Sequence, residues 1–165
     1  MDNKPNLNTW TIGLIWLGLL GITTFIFNGV LDDIQNPNQQ LTMNDGELVL
    51  ERNKYGHYIA SGEINGKSVE FLLDTGATLV AIPEHIANRL KLKKGRTFQS
   101  ETANGLSLSY ETRIDRLTLG DIVMHNVPAS ISSGMTFDQI LLGMSFLKYL
   151  RMVQQGNKLT LSVPE

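Results

Sequence analysis

No Asp, Glu, Lys or Arg occurs between Pro5 and Leu31, a run of 27 residues. A stretch this long without charge has few ways to fold in water. Trp10 to Leu31 spans 22 residues, 14 of them Trp, Ile, Leu, Phe or Val. At helical rise they cover about 33 Å, enough for a hydrocarbon core of about 30 Å. Trp10 stands where an interfacial aromatic anchor belongs. A cleaved signal peptide is the rival reading, but it has a shorter apolar core and a small-residue cleavage site. The first alanine of the chain is Ala60. The expectation is an uncleaved membrane anchor at residues 10–31 after a short tail at 1–9. Lys4 precedes the run, and Asp32 and Asp33 follow it. The positive-inside rule then puts the N-terminus in the cytoplasm and the remaining chain across the inner membrane, on its periplasmic or other extracytoplasmic side. Gly18 and Gly21 do not have the spacing of a helix-dimer motif and read as tolerated small residues.

The same run explains why charged residues make up only 18% of the chain, against about a quarter in ordinary domains. Net charge is -2 and no basic block exists, which argues against a nucleic-acid partner. There is no cysteine, so disulfides, thiol nucleophiles and thiolate metal sites are excluded. His57, His85 and His125 lack metal-ligand spacing, and no metal or other cofactor is expected. No P-loop, dinucleotide fingerprint or nucleophile elbow is present.

Residues 32–46, DDIQNPNQQLTMNDG, are polar, contain a proline and show no apolar period. They read as a tether with a reach of about 20 Å if flexible. Residues 47–165 then form one domain, large enough for its own core. Its pattern is mainly β. Leu48 and Leu50 alternate with polar positions. Two strand-like runs flank Asn65-Gly66, and two more flank Asn104-Gly105; both are hairpin signals. Further strands are expected at 114–119, 122–127 and 159–163. One helix begins at Pro83, carries Glu84 in its first turn and ends before Gly95. Its basic end, Arg89 to Lys94, reads as a solvated helix terminus. A second short helix is expected over 144–149.

The segment Phe71-Leu72-Leu73-Asp74-Thr75-Gly76 places an acid at the end of an apolar strand. A carboxylate there must be hydrogen-bonded. Thr75 offers a hydroxyl, and Gly76 permits close backbone approach. Alone, the tripeptide is also a common turn. About seventy residues later, Ile140-Leu141-Leu142-Gly143-Met144 runs from an apolar strand straight into a helix.

With GHYIASGEINGKSVEFLLDTGAT, the IPEHIANRLKL helix, TANG at 102–105 and ILLGMSFL at 140–147 in this order, the chain resembles the single-lobe, retropepsin-like aspartic proteases of bacteria, as a membrane-anchored member. The resemblance covers residues 47 to about 163. It implies a closed, barrel-like β lobe with one or two short helices. Asp74 matches the catalytic aspartate, supported by Thr75 and Gly76. Leu141, Leu142 and Gly143 match the hydrophobic-Gly loop behind the active turn. Thr102, Ala103, Asn104 and Gly105 match the flap, and with Ala77 and Thr78 they would contact substrate. Such chemistry needs two carboxylates sharing one proton. This chain has one Asp-Thr-Gly, so a homodimer acting on peptide or protein substrates is implied. Thr78 and Met144 depart from retroviral relatives, which carry Asp, and Arg or Asn, at these places and use them to hold the dimer. The alternative is a non-proteolytic peptide-binding or scaffold module of the cell envelope.

Overall fold

The computed structural model describes residues 8–41, 43–102 and 105–164. Helix α1, Thr9–Gln35, contains the apolar run. Its Thr9–Phe27 part is long and apolar enough to be a membrane span or a signal sequence, and none of that part is buried. The helix continues four residues beyond Leu31. Charge ends the apolar run, but backbone sterics end the helix, because Asn36 precedes Pro37 and is pushed away from helical geometry.

The segment after the helix differs from the free tether expected for 32–46. Asn36 and Asn38 are buried against the lobe. The Asn36 amide donates to Glu70 Oε1 at 2.9 Å and Ser61 Oγ at 3.1 Å. Asn38 Nδ2 donates to the carbonyls of Glu51 at 2.9 Å and Ile59 at 2.6 Å, and its Oδ1 accepts from the Glu51 amide at 2.7 Å. Asn53 Nδ2 reaches back to the Gln35 carbonyl at 2.9 Å. Polar side chains that read as solvated linker instead replace missing strand hydrogen bonds.

Beyond this joint the chain forms β1 Met43–Asn44, β2 Glu47–Glu51, β3 Ile59–Ile64, β4 Lys67–Leu73, β5 Val80–Pro83, α2 Glu84–Leu90, β6 Thr97–Thr102, β7 Gly105–Leu119, β8 Ile122–Ser132, β9 Ile140–Leu142, α3 Met144–Leu147, β10 Arg151–Gln155 and β11 Lys158–Ser162. A seven-stranded sheet has the order β3-β4-β9-β5-β8-β7-β6. It curls until β3 also meets β7, through Glu63↔Thr118 and Ile64↔Leu117 only. The barrel-like lobe is therefore a curled sheet with a short seam, not a continuous barrel. A second sheet, β1-β2-β11-β10, closes the core from another side. Leu48, Leu50, Leu159 and Leu161 of that sheet join Phe71, Ile82, Ile131 and Phe146 in one cluster. Burying a side chain such as Phe146 contributes about 1.5–3 kcal/mol.

Local chemistry explains the turns. Asn65 and Gly66 have φ of 51° and 74°, as a two-residue hairpin turn requires. In α2, Pro83 is the N-cap residue and also ends β5. Lys91, not a glycine, adopts the left-handed cap at φ 59°. Gly95 serves close approach instead: its amide donates to the Glu111 carbonyl at 2.7 Å, where a Cβ would stand 2.8 Å away. Lys94 hydrogen-bonds Glu84, which raises its pKa, and lies 4.4 Å from the Tyr110 ring centre. Strands β5 and β10 carry no strong alternation and were not expected, while β7 joins the strand after Asn104-Gly105 to the one expected at 114–119, and β8 runs beyond 122–127 to Ser132.

Candidate active site

Two strands far apart in sequence but adjacent in the sheet position Asp74. Strand β4 delivers it, and β9 lies parallel beside β4 with Phe71↔Ile140, Leu72↔Leu141 and Leu73↔Leu142 in register. The Asp74 amide donates to the Leu142 carbonyl at 3.2 Å. The turn then closes on itself. Asp74 Oδ1 accepts from the Gly76 amide at 2.9 Å, and the Asp74 carbonyl accepts from the Ala77 amide at 3.2 Å. The carboxylate is half-buried, while Thr75 and Gly76 are exposed. Gly76, rather than the Thr75 hydroxyl, holds the carboxylate within the chain. A Cβ on Gly76 would stand 3.1 Å from Asp74 Oδ1. Asp74 Oδ2 has no hydrogen-bond partner among the described residues and is free to meet a ligand.

The segment following β9 braces this turn from behind. Gly143 is pressed against backbone: a Cβ would lie 2.6 Å from the Ala77 carbonyl oxygen and closer still to that of Leu79. The amides of Met144 and Ser145 donate to the carbonyls of Ala77 and Thr78 at 2.8 and 2.9 Å. Ser145 Oγ accepts from the Val80 amide at 2.9 Å and donates to the Pro128 carbonyl at 2.8 Å. Leu142 is fully buried, whereas Leu141 reaches the cleft. Leu141, Leu142 and Gly143 are thus brought together with Asp74, Thr75, Gly76, Ala77 and Thr78.

A cleft of about 610 Å³ opens beside Asp74. Ala77, Thr78 and Leu141 line it. The β6–β7 hairpin borders it through Phe98, Ser100 and Ser109. Thr102 pairs with Gly105, whose φ is 101°. Ala103 and Asn104 of the expected flap lie outside the described residues. Sequence reasoning missed Phe98, Ser100, Ser109, Ser130, Ser132, Met135 and Phe137 as cleft residues. The available signal was alternation along β8, but the predicted strand stopped at Val127. His85, on α2, pairs with Asp138 of the segment after β8 at 2.9 Å and does not line the cleft beside Asp74.

A family model described as "gag-polyprotein putative aspartyl protease" matches residues 60–149, more than half of the chain and all of the Asp74 turn and its brace. The chain belongs to this aspartyl protease family. A Sinorhizobium protein described as an uncharacterized protein in the cobV 5′ region is 32% identical over 111 residues, 66% of this chain and 48% of the relative. The uncharacterized protein RP867 of Rickettsia prowazekii is 29% identical over 117 residues, 68% of this chain and 49% of the relative. The chain therefore spans about half the length of these curated relatives. Among solved structures, a retropepsin-like aspartic protease from Rickettsia conorii matches with a TM-score of 0.59 and 28% identity, over 71% of this chain and 99% of that one. The retropepsin-like fold read from the sequence is the fold of this protein, preceded by one apolar helix.

Proposed function

We propose that this protein is a membrane-tethered, homodimeric aspartic endopeptidase in which Asp74 of each copy forms the catalytic pair. The observation that carries this reading is the Asp74 turn itself. One carboxylate oxygen is held by the Gly76 amide, the other has no partner among the described residues, and a peptide-sized cleft adjoins the carboxylate. The chain holds one Asp-Thr-Gly, so the second carboxylate comes from a second copy. In the pair, one Asp74 carboxylate takes a proton from a water molecule as that water attacks the scissile carbonyl carbon. The protonated partner donates to the carbonyl oxygen. The tetrahedral diol then collapses, the C–N bond breaks, and the amine leaves with a proton from the carboxyl pair.

Two features of the surface favour pairing of copies. Thr75 is exposed with no hydrogen-bond partner in its own chain among the described residues, and so is free to meet its counterpart. Among the described residues strand β10 is an edge, paired only with β11, and all five of its residues are exposed, Met152 and Val153 among them. An antiparallel pairing of two β10 edges about Val153 would set Arg151 against Gln155 and oppose no like charges. Seven residues separate Gly143 from β10, so an interface there would lie close in the chain to the brace of the active turn. Anchoring through α1 in one bilayer raises the effective concentration of the copies. Lys4 before the apolar run and Asp32 and Asp33 after it favour an extracytoplasmic lobe in the inner membrane.

The test uses the full chain in detergent micelles or nanodiscs with an unfolded protein substrate. Cleavage by the wild type, lost in Asp74→Asn with an unchanged unfolding transition, is the expected result. Equal cleavage by Asp74→Asn refutes the mechanism. Peptide binding without turnover at any pH refutes hydrolysis in favour of a binding module.

A further inference from the structure

The cleft beside Asp74 has one wall whose chemistry is unusual for a buried sheet face. Side chains alternate along β8. Val127, Ala129 and Ile131 enter the core, and Ser130 and Ser132 fall on the opposite face and line the cleft. Ser132 is paired in register with Ser109 of β7, and Ser100 of β6 lies beside them. Ser109, Ser130 and Ser132 are 1%, 7% and 4% exposed. This face is therefore buried, yet built of hydroxyls where aliphatic side chains would have packed better. Ser100 and Ser109 bond each other through their Oγ atoms at 2.7 Å, and Ser132 Oγ lies 3.4 Å from Ser107 Oγ. Ser130 faces the same cleft, and its hydroxyl has no hydrogen bond with any described residue.

The wall is covered by a positioned segment. The Ser133 amide and hydroxyl both donate to the Leu108 carbonyl, at 3.2 and 2.8 Å. Gly134 sits so close to Ser107 that a Cβ would stand 2.5 Å from its Oγ. His85 and Asp138 fasten the other end. Between these ties, Met135 and Phe137 form an apolar rim to the cleft.

We infer that this wall is a specificity pocket for an uncharged, hydrogen-bonding substrate side chain, such as Asn, Gln, Ser or Thr, close to the scissile bond. The inference rests on the reading of the cleft as a peptide site. An aliphatic side chain seated there strips water from the Ser130 hydroxyl and returns no partner. A side-chain amide or hydroxyl restores the bond, and sites built this way discriminate strongly against isosteres that lack the group. Among the described lining residues Asp74 is the sole ionisable group and is committed to the chemistry, so they offer a charged side chain no counter-ion. Phe98, Met135 and Phe137 accept the apolar stem.

The experiment measures binding of uncleavable statine peptides to the full chain in micelles by calorimetry. Asn is exchanged for its near-isostere Leu at each of the three positions on either side of the statine. At one position the Asn peptide should bind at least about tenfold more tightly, the scale of one well-made hydrogen bond. Ser130→Val should reverse that preference, and Ser130→Ala should remove it. Equal affinities, tighter Leu binding at every position, or no binding by either series overturns the pocket. If the preference holds but the matching amide peptides are never cut, the hydrolytic reading fails and the pocket stands. Cleavage that favours Leu throughout leaves the hydrolytic reading standing and overturns the pocket.

Discussion

Replacing Gly143 by Ala adds one methyl group at the back of the Asp74 turn. The backbone tolerates it, since φ is -89° and ψ is -174°. At an open site such a change would even stabilise by about 0.4–1 kcal/mol, through the unfolded chain. Here the new Cβ would stand 2.6 Å from the Ala77 oxygen and nearer still to the Leu79 oxygen. Neither is the end of a flexible side chain. Backbone would have to retreat by about 1 Å, and overpacking of this kind costs about 1–3 kcal/mol. The retreat pulls at three hydrogen bonds, Met144 to Ala77, Ser145 to Thr78 and Val80 to the Ser145 hydroxyl. Each is worth about 1 kcal/mol, so partial weakening of the three adds about 1–2 kcal/mol and brings the expected loss to about 2–5 kcal/mol. Urea unfolding of the full chain in mild detergent, followed by far-ultraviolet circular dichroism, measures the loss. Hydrogen exchange at the Met144 and Ser145 amides should accelerate in parallel. A variant within 1 kcal/mol of wild type, on the scale of an ordinary surface change, refutes the claim that this contact braces the turn.

Asn38→Ala removes three hydrogen bonds at a buried position of the joint and should weaken docking of the segment by about 2–4 kcal/mol. Proteolysis within residues 36–41 should then speed up at least about tenfold, and an unchanged cutting rate would show that the joint does not depend on this side chain. Val153→Lys puts a charge on an exposed edge strand. It should leave lobe stability within about 0.5 kcal/mol of wild type while reducing the crosslinked dimer and the cleavage rate together. Undiminished crosslinking would remove β10 from the interface, and full activity in a variant that no longer crosslinks would show that cleavage does not need the pair.

Features that depend on neighbours in sequence were legible from the start. The uncharged run dictates an exposed apolar helix, and Asn65-Gly66 dictates its hairpin because both residues must take positive φ. An acid after Phe71-Leu72-Leu73 had to find hydrogen bonds near at hand, and the Gly76 amide two residues on supplies one. The same local rules misjudged Asn36 and Asn38. The Asn36 amide meets Ser61 of β3 and Glu70 of β4, and the Asn38 amide meets Glu51 of β2 and Ile59 of β3, partners that no linear reading could place beside them.

What the sequence by itself determined is the set of local geometries: the membrane-length helix, the turn that holds Asp74, and the strands that alternate cleanly. Only the tertiary structure decided what those elements face. It set β9 against β4, so that residues nearly seventy apart share the active turn. It buried three serines on a cleft wall and left β10 as an open edge. The physical reason is that backbone preference and alternation act over a few residues, whereas register and burial are settled by contacts between strands distant in the chain.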